Sequence, residues 1–335
     1  MGKDKWVTMR DVADLAKVGT ITVSRVLRTP EKVSDEKRLR VQKAIEELGY
    51  VPDNTAGALS SSRSRVFGAI VSTISDSVFA STLDGLSGTL RAAGYELLLT
   101  STGYDPHVEE DALRALLARR PDGIVLTSTS HSDGTSKLIR SLRIPVVEIW
   151  QLPSAPVDIA VGFSNFQAGH DMARHLIGSG RKNIAFLGGG GLLDERGRRR
   201  REGYLAALRA AGMTPVTWPG KDRNMPSDIE MGTAFFDACL KANPHTDAVM
   251  CVSDTVAVGV LCEARRRNLA VPGDLAVSGF GGFELAKASG FDLTTIEVPG
   301  NAIGVASAKA LLDPEAARSA KVIDLGYKLA VRGTT

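Results

Sequence analysis

Apolar positions near the start of the chain recur at the spacing of two short amphipathic helices. A capping-box-like start at Thr8 and Asp11 precedes the first apolar stripe, and positions 18–20 interrupt the pattern before it resumes over 21–28. The stripes comprise Met9, Val12, Ala13 and Ala16 in the first helix, then Val23, Val26 and Leu27 in the second. The pattern therefore predicts a helix, a tight turn and a second helix.

A third helix is predicted from Ser34 to a stop at Gly49. Its first turn carries Asp35 and Glu36, where the helix dipole favours acidic side chains, and glycine commonly ends a helix. Its apolar stripe comprises Leu39, Ala44, Ile45 and Leu48.

Beyond the third helix the composition changes twice. Residues 52–65 are too poor in apolar side chains to pack unaided, which predicts a linker. From 66 onward strand-like and helical segments alternate, which predicts parallel sheets covered by helices on both faces. The strand candidates include 66–73, 95–102, 122–129, 145–151, 158–165, 182–188, 247–253 and 275–281. The helical stretches between them include 108–119, 167–178, 203–211 and 255–268. The predicted architecture is α/β: an all-α head over 1–50, a hinge over 51–65, and two doubly wound lobes over 66–335 that bind ligand at the carboxyl ends of their strands.

The composition of the 335 residues is that of a soluble globular protein, with 43% hydrophobic and 24% charged residues. The start lacks the apolar stretch of a secretory signal, and no later apolar run is long enough to span a bilayer. Cys239, Cys251 and Cys262 lie in apolar segments without paired spacing, so we expect reduced core residues of a cytoplasmic protein.

Positive charge is concentrated at the start of the chain. Residues 1–65 hold 13 Lys or Arg against 9 Asp or Glu, whereas the remainder holds 28 against 29. A basic end on a neutral body is typical of a small nucleic-acid-binding module.

Several segments of this head resemble the LacI family of bacterial repressors. They are VTMRDVA at 7–13, TVSRVL at 22–27, VS at 33–34, LGYVP at 48–52 and AGAL at 56–59. The resemblance extends over the whole chain. It implies a helix-turn-helix head, a hinge helix and a two-lobed body like that of the periplasmic binding proteins. It also implies a repressor that binds operator DNA as a homodimer or a higher oligomer.

The second helix of such a head presents its N-terminal residues to the major groove. We expect Thr20, Ile21 and Arg25 to face base edges, with Arg25 donating two hydrogen bonds to a guanine and Ile21 contacting a thymine methyl. Gly19 stands where family members usually carry a capping Ser or Thr, a change that costs little as an N-cap. Phosphate contacts, which set the position of the protein on the DNA, are expected from Thr8, Thr22, Ser24 and Lys32. The alternative to all these contacts is that the basic residues only solubilise a helical bundle.

In the hinge, the resemblance implies a helix that forms when two subunits meet on DNA. Ala56 and Leu59 would contact the DNA, and Leu59 would enter the minor groove as an apolar wedge. Gly57 and the serines at 60–62 disfavour a helix, so we expect a segment that is disordered off DNA and folded on it. A passive tether is the alternative.

The body is most similar to the gluconate branch of the family. The segments that carry this resemblance are LT at 126–127 followed by His131, PVVE at 145–148, DIAVGF at 158–163 with Asn165, LDER at 193–196 and DLGY at 324–327. Arg200 precedes Gly203 by three residues, the position from which the family's arginine reaches into the cleft between the lobes. A guanidinium there can bind a carboxylate through two parallel hydrogen bonds.

Other residues suit the remaining parts of a polyol acid. Arg196 and His131 are further donors, and Phe79 suits an apolar wall. Partners for ligand hydroxyls are expected from Ser77, Tyr104, Thr127 and Glu148. Each also has a plainer interpretation: the arginines at 196–201 as a solvated helix face, His131 as a loop or core residue, and Glu148 as the partner of an arginine.

Two positions where the family usually binds sugar are altered. The family's Asn-Asp pair appears as Ser253-Asp254, and Gly281 replaces an aspartate after Phe280. Ser253 is retained among the effector-binding candidates. The loss of a carboxylate favours a negatively charged ligand, because a like charge would repel it.

A sugar-modifying enzyme and a solute-binding protein are the competing interpretations of such a body. Four glycines at 188–191 follow a predicted strand, but Leu193 occupies the third glycine position of a dinucleotide fingerprint. No catalytic triad, paired carboxylates or metal set is evident. A periplasmic binding protein would need a signal peptide and no DNA head. We therefore predict a cytoplasmic, non-enzymatic repressor of carbohydrate-utilisation genes without a cofactor or metal, controlled allosterically by gluconate or a related hexonate.

Overall fold

The chain divides into two units, Met1–Ser64 and Arg65–Thr335. The computed structural model describes residues 6–51, 64–74, 79–188, 194–218, 228–288 and 290–335. In those ranges the first unit contains helices alone, and the second contains two sheets with their covering helices.

Three helices of the first unit pack around a small apolar core. They are α1 (Met9–Ala16), α2 (Thr20–Arg28) and α3 (Asp35–Leu48), with a 3-10 turn at Pro30–Lys32 between the last two. The buried residues of this core are Val12, Ala13, Ala16, Val23, Val26, Val41, Ala44 and Tyr50. The predicted order of helix, turn and helix is confirmed.

Two residues of the predicted stripes lie outside this core. Leu39 is 64% exposed and Leu27 is 36% exposed. On α3 the buried face follows the helical spacing from Val41, through Ala44, Ile45 and Leu48. Leu39 precedes Val41 by two positions, which places it on the opposite side of the helix.

The ends of the helices follow the predicted local chemistry. The side chain of Thr8 accepts a hydrogen bond from the Asp11 amide, and Asp11 Oδ2 accepts one from the Thr8 amide at 2.8 Å, so the capping box is confirmed. Gly19 occupies the N-cap of α2 without a side-chain hydrogen bond. Gly49 ends α3 at φ +62°, a left-handed conformation that favours glycine.

Two six-stranded sheets form the two lobes of the second unit. The first has the order β11-β5-β4-β3-β1-β2, with β1 Val66–Val71, β2 Glu96–Ser101, β3 Gly123–Leu126, β4 Val146–Ile149, β5 Ile159–Gly162 and β11 Val322–Asp324. The second has the order β12-β10-β9-β8-β6-β7, with β6 Ile184–Leu187, β7 Val216–Trp218, β8 Ala248–Cys251, β9 Ala276–Gly281, β10 Thr294–Glu297 and β12 Lys328–Ala330. The pairs are parallel except for β10 with β12, which confirms two largely parallel lobes.

Helices cover both sheets. In the first lobe they are α4 Ala80–Ala92, α5 Pro106–Leu117, α6 Asp133–Ser141, α12 Gly300–Leu312 and α13 Pro314–Ala320. In the second they are α7 Asn165–Gly178, α8 Glu195–Ala210, α9 Asp228–Ala242, α10 Asp254–Arg266 and α11 Glu284–Lys287. The predicted helix at 203–211 therefore begins earlier, at Glu195, because Asp194 caps it by accepting a hydrogen bond from the Gly197 amide at 2.9 Å.

The cysteines differ in burial. Cys239 and Cys251 are buried, and burial raises the pKa of both thiols, but Cys262 is exposed. The expectation of three core cysteines is therefore wrong for Cys262, which lies on the outer side of α10. Among the described helices, none has the length and apolar character needed to cross a bilayer.

Candidate functional site

Helix α2 separates its buried residues from a row of exposed ones. Val23 and Val26 face the core of the head, whereas Thr20, Ile21 and Arg25 are exposed. Ile21 is 69% exposed although it is strongly apolar. It lies one turn from Arg25, so the two side chains occupy the same outward face.

The other predicted DNA contacts of the described head are also accessible. Thr8 and Lys32 are exposed, and Thr22 and Ser24 are partly exposed. Within residues 6–51, neither Arg25 nor Lys32 forms an ion pair with an acidic side chain. Ala56 and Leu59, predicted to contact DNA, lie outside the described residues.

In the body, the guanidinium of Arg196 meets residues of the first lobe. Arg196 lies in the first turn of α8 and donates through Nη1 to the Thr127 carbonyl oxygen, while Nη2 lies 3.3 Å from Ser72 Oγ. Its carbon Cζ lies 5.0 Å from the ring centroid of Phe79 and 6.0 Å from that of Tyr104. Four predicted effector residues from two lobes therefore meet at one place; Ser77, also predicted, lies outside the described residues.

Arg200 follows one turn later on the same helix. Its residue is 8% exposed, its Nη1 donates to Asn165 Oδ1 at 2.6 Å, and its Cζ lies 4.0 Å from the ring centroid of Phe280. Its Nε is buried and has no hydrogen-bond partner among the described residues. Burial lowers the pKa of Arg200 to about 10, with Arg196 adding to the effect and Asp194 opposing it, so the guanidinium stays charged at neutral pH.

The two arginines lack a carboxylate partner in the part of the chain that the structure describes. Arg196 binds a carbonyl and a hydroxyl, and Arg200 binds an amide oxygen. By contrast, Arg198 and Arg199 pair with Glu202 at 2.7 Å and 3.0 Å on the partly exposed side of α8. The run of arginines is thus divided between a solvated face and the cleft, where neither Arg196 nor Arg200 forms an ion pair with a carboxylate of the described residues.

His131 and Glu148 form a separate buried group within the first lobe. His131 Nδ1 lies 2.6 Å from Glu109 Oε1, and His131 Nε2 lies 3.5 Å from Glu148 Oε1. Glu148 Oε2 also accepts a hydrogen bond from the Val157 amide at 2.8 Å. Burial would lower the pKa of His131, but the hydrogen bonds and negative charges of the two glutamates outweigh it and raise this pKa to about 9. Both predicted effector residues therefore have partners inside the lobe.

Ser253 and Asp254 are engaged at the start of α10. Ser253 Oγ caps the helix by accepting a hydrogen bond from the Val256 amide at 3.2 Å. Asp254 is buried and accepts hydrogen bonds from Thr295 Oγ1 at 2.5 Å and from the Phe283 amide at 2.8 Å. Burial raises the pKa of Asp254, and these hydrogen bonds oppose the rise.

Three residues of this region have no role in the predictions made from the sequence. Ser72 follows β1, Asn165 begins α7 three positions after the end of β5, and Phe280 lies near the end of β9. All three lie at the carboxyl ends of parallel strands, which is where ligands bind in such sheets. The rule that ligands bind at strand ends could have indicated these three residues. It does not determine which of the many residues at strand ends lie beside the arginines.

Comparisons with known proteins cover nearly the whole chain. Residues 8–53 match the family model for bacterial regulatory proteins of the lacI family, and residues 64–325 match that for periplasmic binding proteins and the sugar binding domain of the LacI family. The chain is 35% identical over 334 residues to the HTH-type transcriptional regulator GntR of Escherichia coli strain K12, and the match covers 99% of each protein.

Solved structures give the same result. The crystal structure of a LacI family transcriptional regulator from Silicibacter pomeroyi is 33% identical, has a TM-score of 0.89, and is matched over 98% of this chain and 99% of that one. The lac repressor dimer bound to operator has a TM-score of 0.82 over 99% of each chain. Its identity of 23% supports a shared fold alone.

Proposed function

The chain belongs to the LacI family and is a DNA-binding transcriptional repressor rather than an enzyme, and we propose that a sugar acid, gluconate or a related hexonate, controls its binding to operator DNA. The single observation that carries the effector class is the buried guanidinium of Arg200, whose described hydrogen-bond partner is the neutral amide of Asn165. A buried charge is costly unless it is paired, so an anionic ligand would complete this site.

The surroundings of the two arginines support the acid over a neutral sugar. A carboxylate accepts two parallel hydrogen bonds from a guanidinium, and a second cation at Arg196 strengthens the local attraction for negative charge. Asp254 already accepts hydrogen bonds from Thr295 and Phe283, so its carboxylate is engaged within the second lobe. The aromatic rings of Phe79 and Tyr104 beside Arg196 suit the carbon chain of the ligand.

Thermal unfolding tests this effector class. Gluconate in excess should raise the melting temperature of the wild-type protein, whereas glucose should leave it nearly unchanged, because a ligand stabilises the folded state appreciably only when its concentration exceeds its Kd. Arg200→Ala should abolish the shift while operator binding persists. Arg199→Ala is the matched control, since Arg199 pairs with Glu202 on the partly exposed face of the same helix. Equal stabilisation by glucose and gluconate would contradict the proposal.

We also propose that the described head residues divide between base and phosphate contacts, as the position of α2 suggests. Arg25 and Ile21 share an exposed face, which suits the major groove, and Thr20 stands at the start of the same helix. Thr8, Thr22, Ser24 and Lys32 would bind phosphates. Ala56 and Leu59 of the hinge would contact the minor groove.

A homodimer in the cytoplasm is the working form that we propose. Strand β2 is an edge of the first sheet, and Leu98 and Leu99 on it are 39% and 45% exposed. An exposed apolar edge strand is suited to pairing with a second copy, which would also place two heads on one operator. Analytical ultracentrifugation measures the oligomeric state, and DNA titration compares the affinity for one half-site with that for the full site. A monomer that binds one half-site as tightly as the full site would contradict the dimer.

A further inference from the structure

The side-chain amide of Asn165 is held by three hydrogen bonds in the interior. Asn165 is fully buried, and its Nδ2 donates to the Trp150 carbonyl oxygen at 2.8 Å and to Gln151 Oε1 at 2.7 Å. Its Oδ1 accepts from Arg200 Nη1 at 2.6 Å. The Trp150 carbonyl can only accept a hydrogen bond, so the amide nitrogen must face it and the amide oxygen must face Arg200.

The backbone around this amide leaves little room for movement. Helices α7 and α8 approach so closely that a Cβ atom on Gly169 would lie 2.1 Å from the Arg200 carbonyl oxygen, and one on Gly203 would lie 2.0 Å from the Phe166 carbonyl oxygen. Trp150 is anchored in turn, because its indole Nε1 donates to Thr82 Oγ1 at 2.9 Å. The distance between Asn165 and Arg200 is therefore set by the packing of the two helices.

The hydrogen bond from Nη1 leaves one edge of the guanidinium available. Arg200 Nε is buried without a partner, and the described residues provide no hydrogen bond to Nη2. Nε and Nη2 form the side of the guanidinium that binds both oxygens of a carboxylate. Asn165 thus occupies the end of the group, and the side edge has no hydrogen-bond partner among the described residues.

We propose that Asn165 is a positioning and specificity-determining residue, which aims Arg200 at the acid group of the effector and, as a neutral amide, leaves its charge uncompensated. This inference rests on the proposed control by a sugar acid. Aspartate at 165 would accept the same hydrogen bond, but it would neutralise Arg200 and place a negative charge where the ligand's carboxylate must bind. An amide gives the same geometry without that competition.

Calorimetric titration with gluconate and with its uncharged analogue gluconamide tests this role. Asn165→Asp should weaken gluconate binding at least about tenfold and reduce the preference for the acid over the amide, because like charges repel. Asn165→Ser should weaken gluconate binding less and keep that preference, because serine is neutral. A purely structural role would weaken both ligands alike in both variants, and that result, or unchanged gluconate binding in both, would overturn the proposal.

A second measurement does not depend on the effector. Urea unfolding of a double-mutant cycle of Asn165→Asp and Arg200→Gln measures the coupling between the two positions. The change in unfolding free energy caused by Asn165→Asp should be more favourable with Arg200 present than with glutamine in its place. Absence of this coupling would overturn the inference about Asn165. If the cycle shows the coupling but the wild-type protein binds no gluconate, only the proposed effector is contradicted. If Asn165→Asp does not fold, Asn165→Ser decides the question, since undiminished gluconate binding in that variant excludes positioning.

Discussion

The hydroxyl group of Thr129 lies 2.8 Å from Glu195 Oε2, and this hydrogen bond joins the two lobes of the body. Thr129 belongs to the loop after β3 of the first lobe, and Glu195 begins α8 of the second. The neighbouring Arg196 donates to Thr127 in the same loop. One loop therefore holds both of these contacts between lobes, beside the proposed effector.

Removal of this hydrogen bond should disfavour the arrangement in which the two lobes are in contact. Thr129→Val keeps the shape of the side chain, and we expect it to weaken gluconate binding by roughly tenfold, since a hydrogen bond to a charged group contributes about 1.5 kcal/mol or more. Ser128→Ala is the control, because Ser128 Oγ donates only to the nearby Ser130 carbonyl oxygen. Calorimetry compares the two, and an equal loss of affinity in both would show that the loop, rather than the contact between lobes, is responsible.

The buried group of His131, Glu109 and Glu148 should make stability depend on pH. The pKa of His131 is raised to about 9 in the folded protein, so its protonated form stabilises the fold fully below about 6.5 and this stabilisation is lost as the pH rises through 9. Between these values the free energy of unfolding should fall by up to roughly 3 kcal/mol relative to His131→Gln. Chemical unfolding of both proteins from pH 6 to 9.5 measures the difference. If the unfolding free energies of the wild-type protein and of His131→Gln change with pH in parallel, a charged imidazole at position 131 is excluded.

Arg25 and Lys32 should affect DNA binding differently. Arg25→Ala should cost about 1 to 3 kcal/mol on the operator and relax the preference at one base position, because it removes a contact to a base edge. Lys32→Ala should weaken binding to all sequences and make the salt dependence shallower, because it removes a phosphate contact. Fluorescence anisotropy on operator and random DNA at several salt concentrations separates the two. An equal loss on both DNAs for Arg25→Ala would refute its assignment to a base.

The glycines between α7 and α8 should resist substitution. Gly169→Ala would bring Cβ against the Arg200 carbonyl oxygen, and backbone must move to relieve this, so we expect a loss of roughly 3 kcal/mol in unfolding free energy. Gly178→Ala on the same helix is the control, since its Cβ would meet open space. That variant should be as stable as wild type or slightly more stable. Similar urea midpoints for both variants would contradict close packing at Gly169.

Binding of the effector and binding of the operator should weaken each other. A ligand changes DNA affinity only if it binds one arrangement of the lobes better, and the predicted hinge at 51–65 would transmit that change to the head. We expect gluconate to weaken operator binding by about 1 to 3 kcal/mol, and operator DNA to weaken gluconate binding by the same factor. Titration at fixed salt with and without gluconate measures this. Tighter operator binding with ligand would indicate co-repression, and unchanged affinity would exclude allosteric control.

Local patterns in the sequence were enough to predict the three helices of the head and eight of the twelve strands that the structure describes in the body. Helix caps such as the Thr8–Asp11 box depend on residues within one turn, and a parallel strand buried on both faces is evident from its own apolar run. The prediction was wrong for Leu39, which was assigned to the buried stripe of α3 but is exposed. Residues two positions apart lie on opposite sides of a helix, so a small error in assigning the stripe exchanges a buried residue for an exposed one.

The arrangement of the site was decided only by the tertiary structure. Arg196 and Arg198 are two residues apart in one run of arginines, yet one binds the Thr127 carbonyl oxygen and the other pairs with Glu202. His131 was predicted as a donor to the effector, and only the tertiary structure places it between two glutamates that lie 17 or more positions away in sequence. Asn165 acquires its contact with Arg200 because Gly169 and Gly203 let two helices approach. Such contacts depend on how separate elements pack, and no local spacing in the chain determines that packing.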